Sequence, residues 1–360
     1  MIIAHSLAAQ ENICNSDTSL CYGVKKFNTD FEIQMEKKWE SQQYVAQYQT
    51  PISFDIDNDC VPEIITADFL NYDNNWLASN QLLFLNSKTL NSLQTLKTNY
   101  FLTKTNSFIV VDIDNDKSFE TIVALADLNI NPNNLRGKLI CYNFDNSIRW
   151  ISDNKYTINT LQAGSLSLAD FNKDGTPEVF INNNIFNAIT GVQLLKGGNF
   201  GLGGAGFSTI SIAADLDDNP NDLELAAGYT VYEIEITNPN GTLGNNMIPN
   251  NILINGIGRD GQTAVADINN DQKLDVIVIT AQSFYSAIYV YTFQNNSYQI
   301  ISKIEWPKYV PLGTLSIGRL NNNNENSILI SASKNLIKFS YNTNLLNEGG
   351  IYQLKMTQDL

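Results

Sequence analysis

The sequence predicts an all-β protein, a β-propeller of four-stranded blades, six or seven in number. Two observations carry this. An acidic nonapeptide recurs along the 360 residues, its first positions separated by 57, 58, 45, 52 and 52 residues. That is about the length of a four-stranded blade and too long for a simple hairpin. Strand-like apolar segments flank every copy, and no helical periodicity of useful length occurs anywhere.

The nonapeptide reads Asp-x-Asp/Asn-x-Asp/Asn with an acid at position 9. Its copies are Asp55, Asp57, Asp59 with Glu63; Asp112, Asp114, Asp116 with Glu120; and Asp170, Asn172, Asp174 with Glu178. A fourth, Asp215, Asp217, Asn219, has Pro220 next and its acid, Glu224, one place late. The fifth, Asp267, Asn269, Asp271 with Asp275, is regular. The sixth is degenerate, with Arg319, Asn321, Asn323 and Ser327 at positions 1, 3, 5 and 9. There the Arg319 guanidinium is expected to supply the missing positive charge.

The segment before a loop often alternates, as in Leu166-Ser-Leu168, which suits a half-buried strand. The segment after it, as in Ile122-Val-Ala-Leu125 or Val276-Ile-Val-Ile279, is continuously apolar, which suits a strand covered on both faces. Further strands follow, for example Lys138–Tyr142 and Ser147–Trp150. Trp39, Trp150 and Trp306 fall at similar places in their units and read as packing residues of an outermost strand. Six loops begin six units. About 25 strand-like residues before the first loop and 41 after position 1 of the sixth can together complete one blade. Seven blades are favoured if the chain, ending at Met356-Thr-Gln-Asp-Leu360, is a fragment of a longer protein.

Carboxylates two residues apart in a tight turn repel one another unless a cation neutralises them. Calcium takes six to eight hard oxygen ligands in flexible geometry, so side chains at 1, 3, 5 and 9 with a backbone carbonyl and water make a suitable shell. Asp and Asn are also favoured in plain turns, but five copies with an acid at position 9 or 10 favour about five calcium sites. Position 12 is Thr66, Val123, Ile181, Ala226 and Val278, so the acid an EF-hand needs there is missing. Seventeen of the 37 acidic residues lie at the ligand positions of these loops, and five divalent ions would offset ten of the fifteen net negative charges.

Composition excludes several functions. With 22 basic against 37 acidic residues, a nucleic-acid partner is not expected. The single histidine, His5, removes Ser-His-Asp and Cys-His catalysis and multi-histidine zinc sites. No apolar run approaches the length of a membrane span. Residues 1–30 read as a truncated secretory leader, with small residues at Ala8-Ala9, and an N-terminal segment. Residues 31–360 read as the propeller. Cys14 and Cys21 are expected to close a small loop in an oxidising compartment, with Cys60 and Cys141 unpaired. Gly201-Leu-Gly-Gly-Ala-Gly206 has dinucleotide-binding spacing but precedes a strand-like segment rather than a helix, so it reads as a flexible rim loop.

At its acidic loops the chain resembles the FG-GAP/VCBS repeat family, calcium-loop β-propellers also found in integrin α-subunit heads, and within it the bacterial VCBS branch. The resemblance covers roughly residues 31–360. It is specific at 55–63, 112–120, 170–178 and 267–275, where it implies calcium ligation by positions 1, 3, 5 and 9. Asp174-Gly175 keeps the glycine usual after the third acid, while Phe200-Gly201 and Ala226-Ala-Gly228 are the nearest approach to the other family marks. The expected role is a secreted or cell-surface binding module, a monomeric domain or part of a longer chain, engaging an extracellular protein or polysaccharide without catalysis. A polysaccharide lyase on the same scaffold is the alternative, and a structural repeat array in a larger surface protein is a third.

Overall fold

The computed structural model describes residues 50–353, less 58, 69–79, 101, 103–107, 127–130, 132–133, 157–163, 205–208, 218, 283, 307–311, 320–325, 333–334 and 343–344. The leader reading for residues 1–30, the Cys14–Cys21 loop and Trp39 lie outside the described residues.

The described chain is all-β and forms six four-stranded antiparallel sheets and one two-stranded ribbon. The first sheet holds β1 (Ile52–Phe54), β2 (Glu63–Ala67), β3 (Gln81–Leu85) and β4 (Ser92–Lys97). The second holds β5 (Phe108–Val111), β6 (Glu120–Ala124), β7 (Leu139–Tyr142) and β8 (Ile148–Ile151). The third comprises β9 (Leu166–Ala169), β10 (Glu178–Ile181), β11 (Asn184–Asn187) and β12 (Gln193–Lys196). The fourth comprises β13 (Ile212–Ala214), β14 (Glu224–Ala227), β15 (Thr230–Glu235) and β16 (Asn246–Asn251), and the ribbon β17 (Leu253–Ile254) and β18 (Ile257–Gly258) follows it. The fifth contains β19 (Gln262–Ala266), β20 (Asp275–Gln282), β21 (Tyr285–Gln294) and β22 (Ser297–Trp306). The sixth contains β23 (Leu312–Arg319), β24 (Asn326–Ala332), β25 (Asn335–Asn342) and β26 (Leu345–Gln353). Every sheet is a meander in sequence order.

The apolar runs explain the layering. β6, β10 and β14 are buried along their whole length, because each second strand lies between neighbouring sheets, whereas the first strands are only partly covered. Five hydrophobic clusters each join one sheet to the next. Ile65 and Phe84 meet Phe108 and Val123 between the first and second. Ile122 and Trp150 meet Val179 and Phe186 between the second and third. Phe180 and Leu194 meet Leu225 and Tyr232, Val231 meets Val276 and Tyr289, and Ile277 meets Ile328. Serial face packing of meander sheets is propeller-like. Truncating a fully buried aromatic such as Phe180 to Ala is expected to cost about 3–5 kcal/mol.

The outer-strand tryptophans pack as expected. Trp150 on β8 is buried, and its Nε1–H donates to Ala188 O of the third sheet at 2.9 Å; Trp306 on β22 packs against the fifth cluster.

The Gly201–Gly204 segment is not a flexible rim loop, since Gly201, Leu202 and Gly203 are buried. The Asp260 carboxylate lies in the nest made by its N–H groups, Oδ2 accepting from Leu202 at 2.9 Å and Oδ1 from Gly203 and Gly204 at 3.1 and 3.3 Å. The anion site that a dinucleotide phosphate would need is filled by the protein's own carboxylate.

Cysteine usage also differs from expectation. Cys141 is free and buried, but Cys60 is disulfide-bonded rather than unpaired, its partner lying outside the described residues. Cys60 is exposed at position 6 of the first acidic loop, so a second chain segment can reach its sulfur, as none can at Cys141.

Candidate metal centres on the acidic loops

Each acidic loop joins the first strand of a sheet to the second, so 55–63 links β1 to β2 and 267–275 links β19 to β20. The position-9 acid is the first residue of the second strand, and this places it inside. Glu63, Glu120, Glu178, Glu224 and Asp275 are all at most 2% exposed.

Four loops share one backbone design. The position-1 carboxylate accepts the N–H groups of positions 5 and 6; for Asp170 these are Asp174 at 3.0 Å and Gly175 at 2.8 Å. Asp55, Asp112 and Asp267 do the same for their loops. The position-5 carboxylate accepts the position-7 N–H, as Asp116 does from Ser118 at 2.7 Å. The position-9 carboxylate accepts the position-2 N–H, as Glu63 does from Ile56 and Glu120 from Ile113, both at 3.1 Å.

This winding needs a left-handed residue at position 6, and Cys60, Lys117, Gly175 and Gln272 have φ of 65°, 73°, 89° and 70°. Only Gly175 adopts it without a Cβ penalty; each of the other three costs about 1 kcal/mol. Pro220 cannot adopt it, since its φ is fixed and negative and it has no N–H to donate. The fourth loop therefore takes one extra residue. That insertion does not displace Glu224, although the acid comes one place late in the sequence. Leu216 N–H still donates to Glu224 Oε2, at 2.6 Å.

Three loops bring carboxylate oxygens within 4.8 Å of one another: Asp55, Asp57 and Glu63; Asp112, Asp114 and Glu120; Asp215, Asp217 and Glu224. Positions 1, 3 and 9 thus converge, while the position-5 carboxylates Asp59 and Asp116 stand outside these trios. In the third and fifth loops position 3 is an amide. Asn172 Nδ2 donates to Asp174 Oδ2 at 3.0 Å and Asn269 Nδ2 to Asp271 Oδ2 at 2.9 Å. In the sixth unit Asn321 and Asn323 lie outside the described residues, as does the Arg319 side chain.

Electrostatics favour a cation. Burial, opposed by the backbone hydrogen bond and reinforced by the neighbouring aspartates, pushes Glu178 up to about 8 and Glu224 up to about 7. Burial likewise raises Asp275 to about 6, and Glu63 and Glu120 move in the same direction for the same first cause. These carboxylates are unfavourable as bare anions. In the fifth loop Asp275 Oδ1 is buried and has no hydrogen-bond partner, which leaves a hard oxygen available for an ion. The donor set is entirely oxygen, which fits calcium better than a transition metal.

Some participants escape sequence reading. Arg149 on β8 places its guanidinium on Asp114 at 2.7 Å and Glu120 at 3.3 Å. Asp222 accepts from Asn219 Nδ2 at 2.6 Å, and with Asp217, Glu224, Glu233 and Glu235 it lines an acidic pocket of about 310 Å³. Lys173 of the third loop reaches Asp215 of the fourth at 3.7 Å. These pairs depend on packing between strands and sheets, which sequence spacing does not encode.

No family model matches the chain, and no curated protein matches it. Solved structures share the fold. The Vibrio cholerae biofilm matrix protein Bap1 matches with a TM-score of 0.51 and 15% identity, over 87% of this chain and 53% of that one. The rhamnogalacturonan lyase YesW matches with a TM-score of 0.52 and 15% identity, over 84% of this chain and 57% of that one. The Bacillus licheniformis rhamnogalacturonan lyase PL11 matches with a TM-score of 0.52 and 15% identity, covering 80% and 55%. The chain thus spans little more than half the length of these structures, and the likeness establishes a propeller-like all-β fold.

Proposed function

We propose that this protein is a secreted or cell-surface β-propeller of the FG-GAP/VCBS type, in which calcium held by the acidic loops rigidifies the blades for binding a protein or polysaccharide. The observation that carries this reading is the repeated loop, above all the buried position-9 acid whose ionisation needs a cation. Six described meander sheets support a ring of six blades. The fold likeness to a biofilm matrix protein favours an extracellular setting. When bound, calcium would supply charge neutralisation and cross-linking of the loop; the chain's own N–H groups orient the carboxylates for it.

The experiment is a thermal melt of the purified chain in excess chelator, in millimolar calcium and in millimolar magnesium. A calcium-specific rise of about ten degrees supports the reading, since sites with Kd near 10⁻⁴ M in about 2 mM calcium each contribute roughly 1.8 kcal/mol. Identical melts would overturn it.

A second reading is a polysaccharide lyase, favoured by the rhamnogalacturonan lyases among the fold neighbours. It is tested by incubation with uronic-acid polymers and detection of unsaturated products by absorbance. Turnover would make the protein an enzyme, and retention on the polymer without turnover would favour the binding module.

A further inference from the structure

The repeats serve as one another's controls. In five sheets the third and fourth strands pair with a one-residue bulge on the fourth strand, at Leu93, Arg149, Leu194, Ile301 and Gly349. A bulge leaves one residue unpaired and re-aims its side chain. Four of these positions hold an aliphatic residue or glycine. The second sheet alone places a cation there, and that cation reaches its own acidic loop, its two nitrogens contacting Asp114 at position 3 and Glu120 at position 9. Those are two of the three carboxylates that converge in this loop.

We propose that Arg149 is the resident cation of the second loop, so that this loop is neutralised by the protein itself and takes no calcium while Arg149 is in place. A guanidinium on two of the three carboxylates and a divalent ion among them repel each other and compete for the same oxygens. Arginine suits the task because its planar fork spans two carboxylates and never loses its charge. The arrangement also relieves Glu120, which is buried among Asp112, Asp114 and Asp116 with one backbone hydrogen bond and, among the described residues, no other cation paired with it. The inference concerns which loops load, and to that extent rests on the calcium reading.

The test uses the full chain and two variants, Arg149→Gln and the double variant Arg149→Gln with Glu120→Gln. In excess chelator, Arg149→Gln should melt roughly 3 °C or more below the wild type, because Glu120 is left buried and unpaired. The double variant should regain most of that loss, which also covers the case in which the single variant does not fold without metal. By equilibrium dialysis against saturating calcium, Arg149→Gln should bind one more ion per chain than the wild type. Equal calcium counts above zero would overturn the proposal, as would a chelator melt that the single substitution does not move. If neither protein binds calcium, the calcium reading fails, and the chelator melts alone then decide the role of Arg149.

Discussion

Asp275 Oδ2 accepts the Ile268 N–H at 2.8 Å, while its Oδ1 is buried and closes no hydrogen bond, with the Thr292 hydroxyl and the Asn269 N–H as the donors nearby. One oxygen therefore closes the loop and the other is left over, in a residue with no solvent exposure. Asp275→Asn keeps the closing acceptor and removes the buried charge. In chelator the variant should melt at or above the wild-type temperature. In calcium it should lose one site and about 2 kcal/mol of ligand-linked stabilisation. Calorimetric melts in both conditions check the pair of outcomes; a variant less stable in chelator would mean that Asp275 is held ionised by the protein alone.

The buried acids also fix the direction of pH dependence. Glu178, Glu224 and Asp275 have folded-state values raised to about 8, 7 and 6 by burial, above those of the unfolded chain. Between the unfolded and folded values the native state binds more protons, so stability falls as pH rises. The chelated protein should melt progressively lower from pH 5 to pH 8.5. Calcium requires ionised carboxylates, so its stabilising effect should grow over the same range. A chelator melt that climbs with pH would show that these side chains are not buried bare acids.

Gly191 and Trp150 make a third test, this time of the packing between the second and third sheets. A Cβ on Gly191 would lie 2.5 Å from the Trp150 ring, and its φ of +73° is itself unfavourable for a side chain. Gly191→Ala should cost about 2–3 kcal/mol through overpacking and backbone strain. Trp150→Phe, which loses the hydrogen bond to Ala188, should cost about 1–2 kcal/mol. Neither change should alter calcium stoichiometry, measured by dialysis, if Trp150 is a packing residue.

The regular parts of this molecule were legible because they obey local rules. Positions 1 and 9 of the first five loops, the apolar second strands, and Trp150 and Trp306 on their outer strands follow from spacing and period, and the structure places these accordingly. What spacing could not reveal depends on contacts between distant segments. Arg149 reaches Glu120 through a bulge on a strand not paired with that of Glu120, Cys60 is bonded to a cysteine outside the described residues, and Asp260 finds the Gly201–Gly204 nest across more than fifty residues. The fourth loop is less legible for a different reason. Pro220 signals a changed turn, but whether the turn or Glu224 absorbs the extra residue is settled by burial of the acid, not by counting.

Asp260 offers the last test, on the segments opposite the acidic loops in each meander. Its carboxylate accepts four backbone N–H groups, from Leu202, Gly203, Gly204 and Gly261. Asp260→Ala would strand these donors in a largely buried site, at a cost of about 3 kcal/mol. Asp260→Asn retains one acceptor oxygen and should cost roughly half as much. Gly228→Ala attacks the same arrangement from the other side, since a Cβ there would sit 1.9 Å from Asp260 Oδ1 at a φ of +61°. All three should speed hydrogen exchange at Leu202 to Gly204 while leaving the acidic loops protected, as followed by mass spectrometry. Uniform exchange in every segment would mean that the nest is not a separate structural unit, and that its carboxylate acts on the stability of the whole domain.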